Sequence, residues 1–311
     1  MRRSVDTRYG ITILGAMRPH FFAFPVGATY AGVAATGRSL SPVTLILLGA
    51  IAAGGWGVGQ LLNDVLDQKA DAIDAPQRPA VRGLLPVRPT LWLATLFGLG
   101  LFAILALLTP RGVILGSVAV ALILTYNPCK ALPVLGNLSH GALLACAALM
   151  GAATADQETA LFDLAARHLQ TLLLVGTWAA LYLQANYEKD LRGDAAAGYR
   201  TLAHVLGVRA SAVTRASVAL AFLFIVPEHA RELPYSLPIY SAALGVAVSA
   251  LYVARQGTQH AALGSYRIAV HGGTLAMLAF GGAALGNGAY FSLLGLAVLL
   301  TEGAFRRSEN P

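Results

Sequence analysis

The chain has 311 residues, of which 56% are hydrophobic and only 12% charged, with a formal net charge of +7 and a mean hydropathy of +0.63. Soluble domains carry about 25% charged residues, so this composition excludes an ordinary soluble enzyme and predicts a polytopic membrane protein. The positive balance does not indicate nucleic-acid binding, because the basic residues are scattered over short segments between apolar stretches and form no single stripe.

Crossing a bilayer takes about 20 apolar residues. In chain order, stretches of this kind occupy 11–36, 41–63, 89–109, 111–128, 137–155, 165–186, 207–226, 235–254 and 267–286, and a shorter one follows at 289–305. They predict an all-α bundle of nine transmembrane helices, with a tenth at the last segment as a full or half-inserted span. The first stretch is no signal peptide, since Arg18-Pro19-His20 interrupts its apolar core and no clean cleavage site follows. With the N-terminus inside, Arg2, Arg3, Arg8, Arg18, Lys69, Arg78, Arg82, Arg88, Lys130, Lys189, Arg192, Arg200, Arg209, Arg255 and Arg267 fall on the cytoplasmic side, leaving Arg38, Arg111, Arg167 and Arg231 outside. That asymmetry sets the expected orientation. Abundant Arg and Ala with little Lys suggests a bacterial source and hence an inner (plasma) membrane. No intervening segment is long enough to fold alone, so residues 1–311 are expected to form one transmembrane domain.

The run Gly54-Gly55-Trp56-Gly57-Val58-Gly59 lies inside the second stretch and follows no strand, so it reads as close helix packing and not as a nucleotide loop. Gly282 and Gly286 read the same way. Cys129 and Cys146 are far apart and suggest neither a disulfide framework nor a metal site.

Two acidic clusters break an otherwise carboxylate-poor pattern: Asn63-Asp64-x-x-Asp67-x-Lys69-x-Asp71 and Tyr187-Glu188-Lys189-Asp190-Leu-Arg192-Gly193-Asp194. In a helix, Asp64, Asp67 and Asp71 fall at i, i+3 and i+7 on one face, and Asp190 and Asp194 at i, i+4. Like charges at such spacings destabilise a helix by roughly 0.2–0.5 kcal/mol per pair, so a divalent cation is the expected counter-charge. The clusters follow the second and sixth stretches, a weak internal echo that fits two bundles packed face to face around one cavity. The three lysines, Lys69, Lys130 and Lys189, lie after stretches two, four and six. Carboxylates combined with cations suit an anionic ligand bridged by metal to the acids and contacted directly by Lys and Arg. His20, His140, His204 and His271 lack metal-ligand spacing. His20 and His271 are candidate proton acceptors, whereas Ser139-His140 has no triad partner.

These residues carry a resemblance. Asn63-Asp64-x-x-Asp67-x-x-x-Asp71, continuing through Asp74-Ala-Pro76-Gln-Arg78-Pro79 and Gly83, resembles the first signature of the UbiA superfamily of intramembrane prenyltransferases. Tyr187 to Asp194, followed by Gly198-Tyr-Arg200-Thr201-Leu202 and Val205-Leu206-Gly207, is similar to the second. Tyr126-Asn-Pro128-Cys-Lys130 with Gly136-Asn137 resembles the segment after span four, and Arg18-Pro19 the opening of span one.

The resemblance implies a helical bundle around a lateral cavity in which Mg²⁺, held by Asn63, Asp64, Asp67, Asp71, Asp190 and Asp194, binds a prenyl diphosphate. Lys130, Lys189 and Arg78 are the implied phosphate contacts. Ionisation then gives an allylic carbocation that aromatic faces can steady, with Tyr126, Tyr182, Trp56, Phe22 and Tyr187 as candidates. The chain departs from the pattern at Tyr187, where the second motif often begins with Asp, and at Phe21, where some members have Asn. Transfer to a small-molecule acceptor, aromatic or quinone-type, is the expected activity. A terpene cyclase without an acceptor is the alternative on the same metal site. A transporter would be expected to hold its acids near mid-membrane.

Overall fold

The computed structural model describes residues 7–309, and among them the fold is all-α with no strand; Arg2 and Arg3 lie outside the described residues. Helix α1 (Thr7–Ala16) and helix α2 (Ala23–Ala35) share the first apolar stretch. The long helices that follow are α3 (Pro42–Leu66), α5 (Val87–Leu108), α6 (Gly112–Lys130), α7 (Leu135–Ala155), α9 (Leu169–Lys189), α11 (Leu202–Ala221), α12 (Ser236–Gln256), α13 (Gln259–Gly281) and α14 (Asn287–Glu309). Three short helices sit between them: α4 (Gln68–Asp74), α8 (Leu161–Arg167) and α10 (Leu191–Ala196).

Six helices, α3, α5, α6, α7, α12 and α14, are both long and apolar enough to cross a bilayer. The segment predicted as a possible half-insertion is therefore a full-length helix. Helices α9, α11 and α13 are as long but less apolar, because they carry ionisable groups such as Glu188, Arg215 and Arg267.

The first predicted span is not one helix. Pro19 has no amide proton to continue α1 and disfavours helical geometry at the residue before it; Arg18 is in a left-handed conformation (φ 54°), and a single 3₁₀ turn, Pro19–Phe21, leads into α2. At α3 the start is set by Ser41, whose hydroxyl accepts the Thr44 amide hydrogen, with Pro42 following.

Helix α2 packs on α3, α7, α9 and α13, and the chain continues around it as α3–α5–α6–α7 on one side and α7–α9–α11–α12–α13 on the other. Small residues permit the closest approaches. A Cβ on Gly32 would stand 1.7 Å from the Ala148 carbonyl oxygen and one on Gly151 1.9 Å from that of Thr29. The glycine run of α3 divides: Gly54 and Gly57 are packed under Leu101 and Met17, whereas Gly55 and Gly59 line a cavity. Gly286, read as a packing residue, instead turns the chain at φ 72° with open space around it.

Candidate active site

Both acidic clusters sit where a long helix gives way to a short one. Asp67 joins α3 to α4 (φ −93°, ψ 14°) and Asp190 joins α9 to α10 (φ −98°, ψ 19°). In each case the amide ladder runs on through the bend, from Asp67 N to Asn63 O and Asp71 N to Asp67 O, and from Asp190 N to Asn186 O and Asp194 N to Asp190 O. Asp64, Asp67 and Asp71 consequently do not share one continuous helical face as the spacing predicts. The bend separates them and gives each a cationic partner, which relieves the repulsion that a straight helix would impose.

Arg18, on the α1–α2 turn, pairs with Asp64. Arg78 pairs with Asp71 and lies 3.7 Å from Asp64. Lys130, the last residue of α6, donates to Asp67 at 3.0 Å and stands 3.2 Å from Asp194, so one ammonium joins the two clusters. Tyr199 donates to Asp67 at 2.6 Å, and the Lys130 Nζ lies 4.2 Å from its ring centroid. Lys189 pairs with its neighbour Asp190. The short helices close over the site: α4 packs on α10, and the Gly193 amide donates to Asp74 Oδ2 at 2.7 Å.

Asp64, Asp67, Asp71 and Asp194 are all buried. Six carboxylates, counting Asp74 and Asp190, meet four cations, Arg18, Arg78, Lys130 and Lys189, which leaves a formal surplus of two negative charges. Burial pushes Asp71 above the ordinary carboxylate range despite Arg78, and pushes Asp194 up to about 6 despite Lys130. Asn63 Oδ1, Asp71 Oδ2 and Asp194 Oδ2 are buried without a hydrogen-bond partner. Hard oxygen donors, a negative surplus and unpaired oxygens fit Mg²⁺. Among the described residues, no three His, Cys, Asp or Glu side chains are already gathered around one metal position; each acid is held by a cation instead.

Below this layer runs a cavity lined by α2, α3, α5, α6, α7 and α9. Its acid end includes Arg18, Asn63, Asp67, Asp71, Arg78, Lys130, Asp190 and Asp194, and its walls then become apolar down to Leu48, Leu105 and Met150. From Asp67 to Leu48 is 19 residues of α3, about 28 Å of helix. Trp56, Tyr126, Tyr182 and His140 stand between the two regions.

Of the residues singled out from sequence, Asn63, Asp64, Asp67, Asp71, Arg78, Lys130, Asp190 and Asp194 converge on one place. Lys189 is beside Asp190 but packs over the Tyr266 ring at 4.6 Å and is not among the cavity-lining residues. Lys69 is exposed and apart. Tyr187 lies behind the wall, its hydroxyl 3.4 Å from that of Tyr126. Phe22 packs on the core outside the lining. His271 faces Glu302 at 3.3 Å instead of the cavity. Sequence reasoning missed Arg18, Tyr199, Asp74 and His140 as site residues. For Arg18 the signal was available: a charge beside a proline in an apolar stretch.

A bundle of apolar helices with a charged head above an apolar cavity defines an integral membrane protein with an intramembrane pocket for an amphipathic anion. Residues 24–267 match the family model of the UbiA prenyltransferase family; the chain belongs to this family and is a prenyltransferase. It is similar to the digeranylgeranylglyceryl phosphate synthase of Halobacterium salinarum, 29% identical over 266 residues that cover 83% of this chain and 88% of the relative. A Pyrococcus furiosus protein of the same name is 31% identical over 206 residues, 64% of this chain and 70% of its own. Among solved structures, the apo form of a UbiA homolog from Aeropyrum pernix K1 superposes with a TM-score of 0.68 at 20% identity, covering 84% of this chain and 96% of that one. A UbiA homolog from Archaeoglobus fulgidus bound to GPP and Mg²⁺ gives 0.61 at 14% identity, covering 95% and 98%. These superpositions establish the shared fold.

Proposed function

We propose that the protein transfers a prenyl group from a prenyl diphosphate to a small-molecule acceptor inside the membrane, with Mg²⁺ as cofactor. The observation that carries this reading is Lys130, which joins the two acidic clusters at the head of an apolar cavity. When bound to Asn63, Asp64, Asp67, Asp71, Asp190 and Asp194, Mg²⁺ supplies positive charge to the departing diphosphate. The chain's own cations act on the same charge. Arg18, Arg78 and Lys130 leave their carboxylate partners to contact phosphate oxygens, Lys130 being best placed because it already spans both clusters. Lys189 acts by holding Asp190. The apolar walls take the isoprenoid tail and keep water from the allylic cation. Tyr126, Tyr182 and Trp56, just below the acid layer, present aromatic faces where that cation forms. The Archaeoglobus fulgidus neighbour bound to GPP and Mg²⁺ supports this donor assignment.

The acceptor we favour is an aromatic or quinone-type molecule, because rings of Trp56, Tyr182 and His140 offer stacking surfaces in the cavity. A glyceryl phosphate acceptor is the second reading, favoured by the names of the relatives. We assign the acid end to the cytoplasmic face of a bacterial plasma membrane on the Lys and Arg asymmetry.

The test is purified protein with Mg²⁺ and labelled geranyl, farnesyl or geranylgeranyl diphosphate, with and without 4-hydroxybenzoate, 1,4-dihydroxy-2-naphthoate or geranylgeranylglyceryl phosphate. Metal-dependent prenylation of an acceptor is expected. Cyclic products formed without acceptor would overturn the transferase assignment in favour of a cyclase.

A further inference from the structure

His140 is buried on α7, 8% exposed, and its Nε2 has no hydrogen-bond partner. It lines the main cavity, and three rings surround it: Trp56 at 5.7 Å, Tyr126 at 6.1 Å and Tyr182 at 6.1 Å between centroids. A buried, unpaired polar nitrogen among aromatics is costly, about 1–3 kcal/mol for an unsatisfied group, and an apolar residue would fill the place without that penalty.

Its level in the bundle is informative. Tyr126 is one helical turn below Lys130 on α6, about 6 Å of rise, and Trp56 lies eight residues before Asp64, about 12 Å along α3. His140, in contact range of both rings, therefore stands just beneath the layer proposed to hold the diphosphate, at the depth of the donor's first carbon. The other unpaired buried polar atoms of the lining gather with it in the sequence of the walls: Trp56 Nε1, Gln60 Oε1, Asn127 Oδ1 and Ser139 Oγ. Apolar lining alone needs none of these. They suit a second ligand that brings hydroxyl groups.

We propose that His140 is a catalytic residue, the proton acceptor for a hydroxyl of the acceptor substrate. The inference rests on the prenyl-transfer reading above. The bond between the donor's first carbon and the diphosphate oxygen breaks, and its electron pair leaves with diphosphate. The acceptor's nucleophilic atom forms a bond to that carbon, and the proton of the reacting hydroxyl passes to His140 Nε2. The imidazolium then returns the proton to the departing diphosphate. The imidazole must begin neutral with its hydrogen on Nδ1, which burial among aromatic rings favours. Arg18 and Lys130 remain with phosphate and do not compete as bases.

The experiment compares wild type, His140→Ala and His140→Gln with geranylgeranyl diphosphate and Mg²⁺, reading two rates: pyrophosphate release without acceptor, and prenylation of whichever of the three acceptors above the wild type uses. Loss of a general base lowers rate by about 10²–10⁴-fold. The expected result is prenylation lowered at least about 100-fold in both variants, with acceptor-free pyrophosphate release within about threefold of wild type, and recovery of at least about tenfold in His140→Ala on adding free imidazole. His140→Gln keeps the polarity and approximate volume, so it serves if the alanine variant does not fold. Prenylation lowered less than about tenfold, or an equal fall in both rates without imidazole rescue, overturns the assignment and leaves His140 as a wall residue. Failure of the wild type to release pyrophosphate or prenylate any of these acceptors removes the transfer reading itself, and this assignment with it.

Discussion

Lys130 is the residue on which the two halves of the site depend. Removing its side chain leaves Asp67 and Asp194 buried without their shared cation, so Lys130→Ala is expected to lower prenyl transfer by at least about 100-fold, of the order seen when one charge-stabilising group is lost. Lys130→Arg should recover only part of this, since a planar guanidinium does not replace a point charge between two carboxylates; steady-state kinetics on both variants is the check. Asp67→Ala is expected to abolish turnover while the thermal unfolding temperature stays near wild type, because Asp67 is already partnered by groups that tolerate its loss at the head of the cavity. The acids, Lys130 and Arg78 were legible in the sequence because spacing and type carry them. Arg18 was legible only as an interruption, since what it pairs with depends on where the α1–α2 turn points. Tyr199 and His140 gave no spacing signal, because each reaches the site from its own element with no companion nearby in the chain.

A residue outside the cavity shows the same limit. Glu188 and Arg215 form a fully buried pair at 2.8 Å, joined by Ser211 and Ser265 to α11 and α13. Nothing in the sequence matched an acid on α9 to an arginine 27 positions later. Breaking such a pair costs about 3–5 kcal/mol because it strands a buried charge. Arg215→Met should therefore lower the unfolding temperature strongly, and Glu188→Gln combined with Arg215→Met should recover much of the loss; thermal unfolding in detergent distinguishes the two.

At the level of elements, the spans were read from apolar length, and most of their boundaries fall within a few residues of the observed helices. The exceptions have local causes. Pro19 splits the first stretch, and the bends at Asp67 and Asp190 split what the i, i+3, i+7 pattern suggests is one helix. Neither bend is proline-driven, and an acid-rich sequence alone does not announce it. The two bends are alike in dihedral angles and in the amide bonds that cross them, which gives the weak echo between the two halves a structural counterpart. Helices α4 and α10 are held together through Gly193, where an added Cβ would meet Asp74 Oδ2 at 2.4 Å and the Ala70 carbonyl oxygen at 2.5 Å. Gly193→Val is expected to part the two short helices and raise the KM for prenyl diphosphate at least about tenfold, the effect of misplacing positioned groups. Asp74→Ala should act in the same direction, and Asp74→Asn, which keeps an acceptor oxygen for the Gly193 amide, should remain close to wild type. Unchanged KM in Gly193→Val would contradict the role given to this contact.

For the whole molecule, composition alone separated this chain from soluble proteins, and the order of its motifs pointed to the family that the matched residues establish. The acceptor was not legible, because it depends on which side chains from six helices meet at one depth. The central claim is that both acidic clusters form one Mg²⁺-dependent diphosphate site. Equilibrium binding of geranylgeranyl diphosphate to the purified protein tests it most directly, measured with Mg²⁺ and with EDTA, for wild type, Asp67→Ala and Asp194→Ala. One binding event that requires Mg²⁺ and weakens at least about tenfold in each variant, a loss of about 1.4 kcal/mol, is the expected result. Unchanged affinity in Asp194→Ala, or tight binding that persists in EDTA, would contradict it.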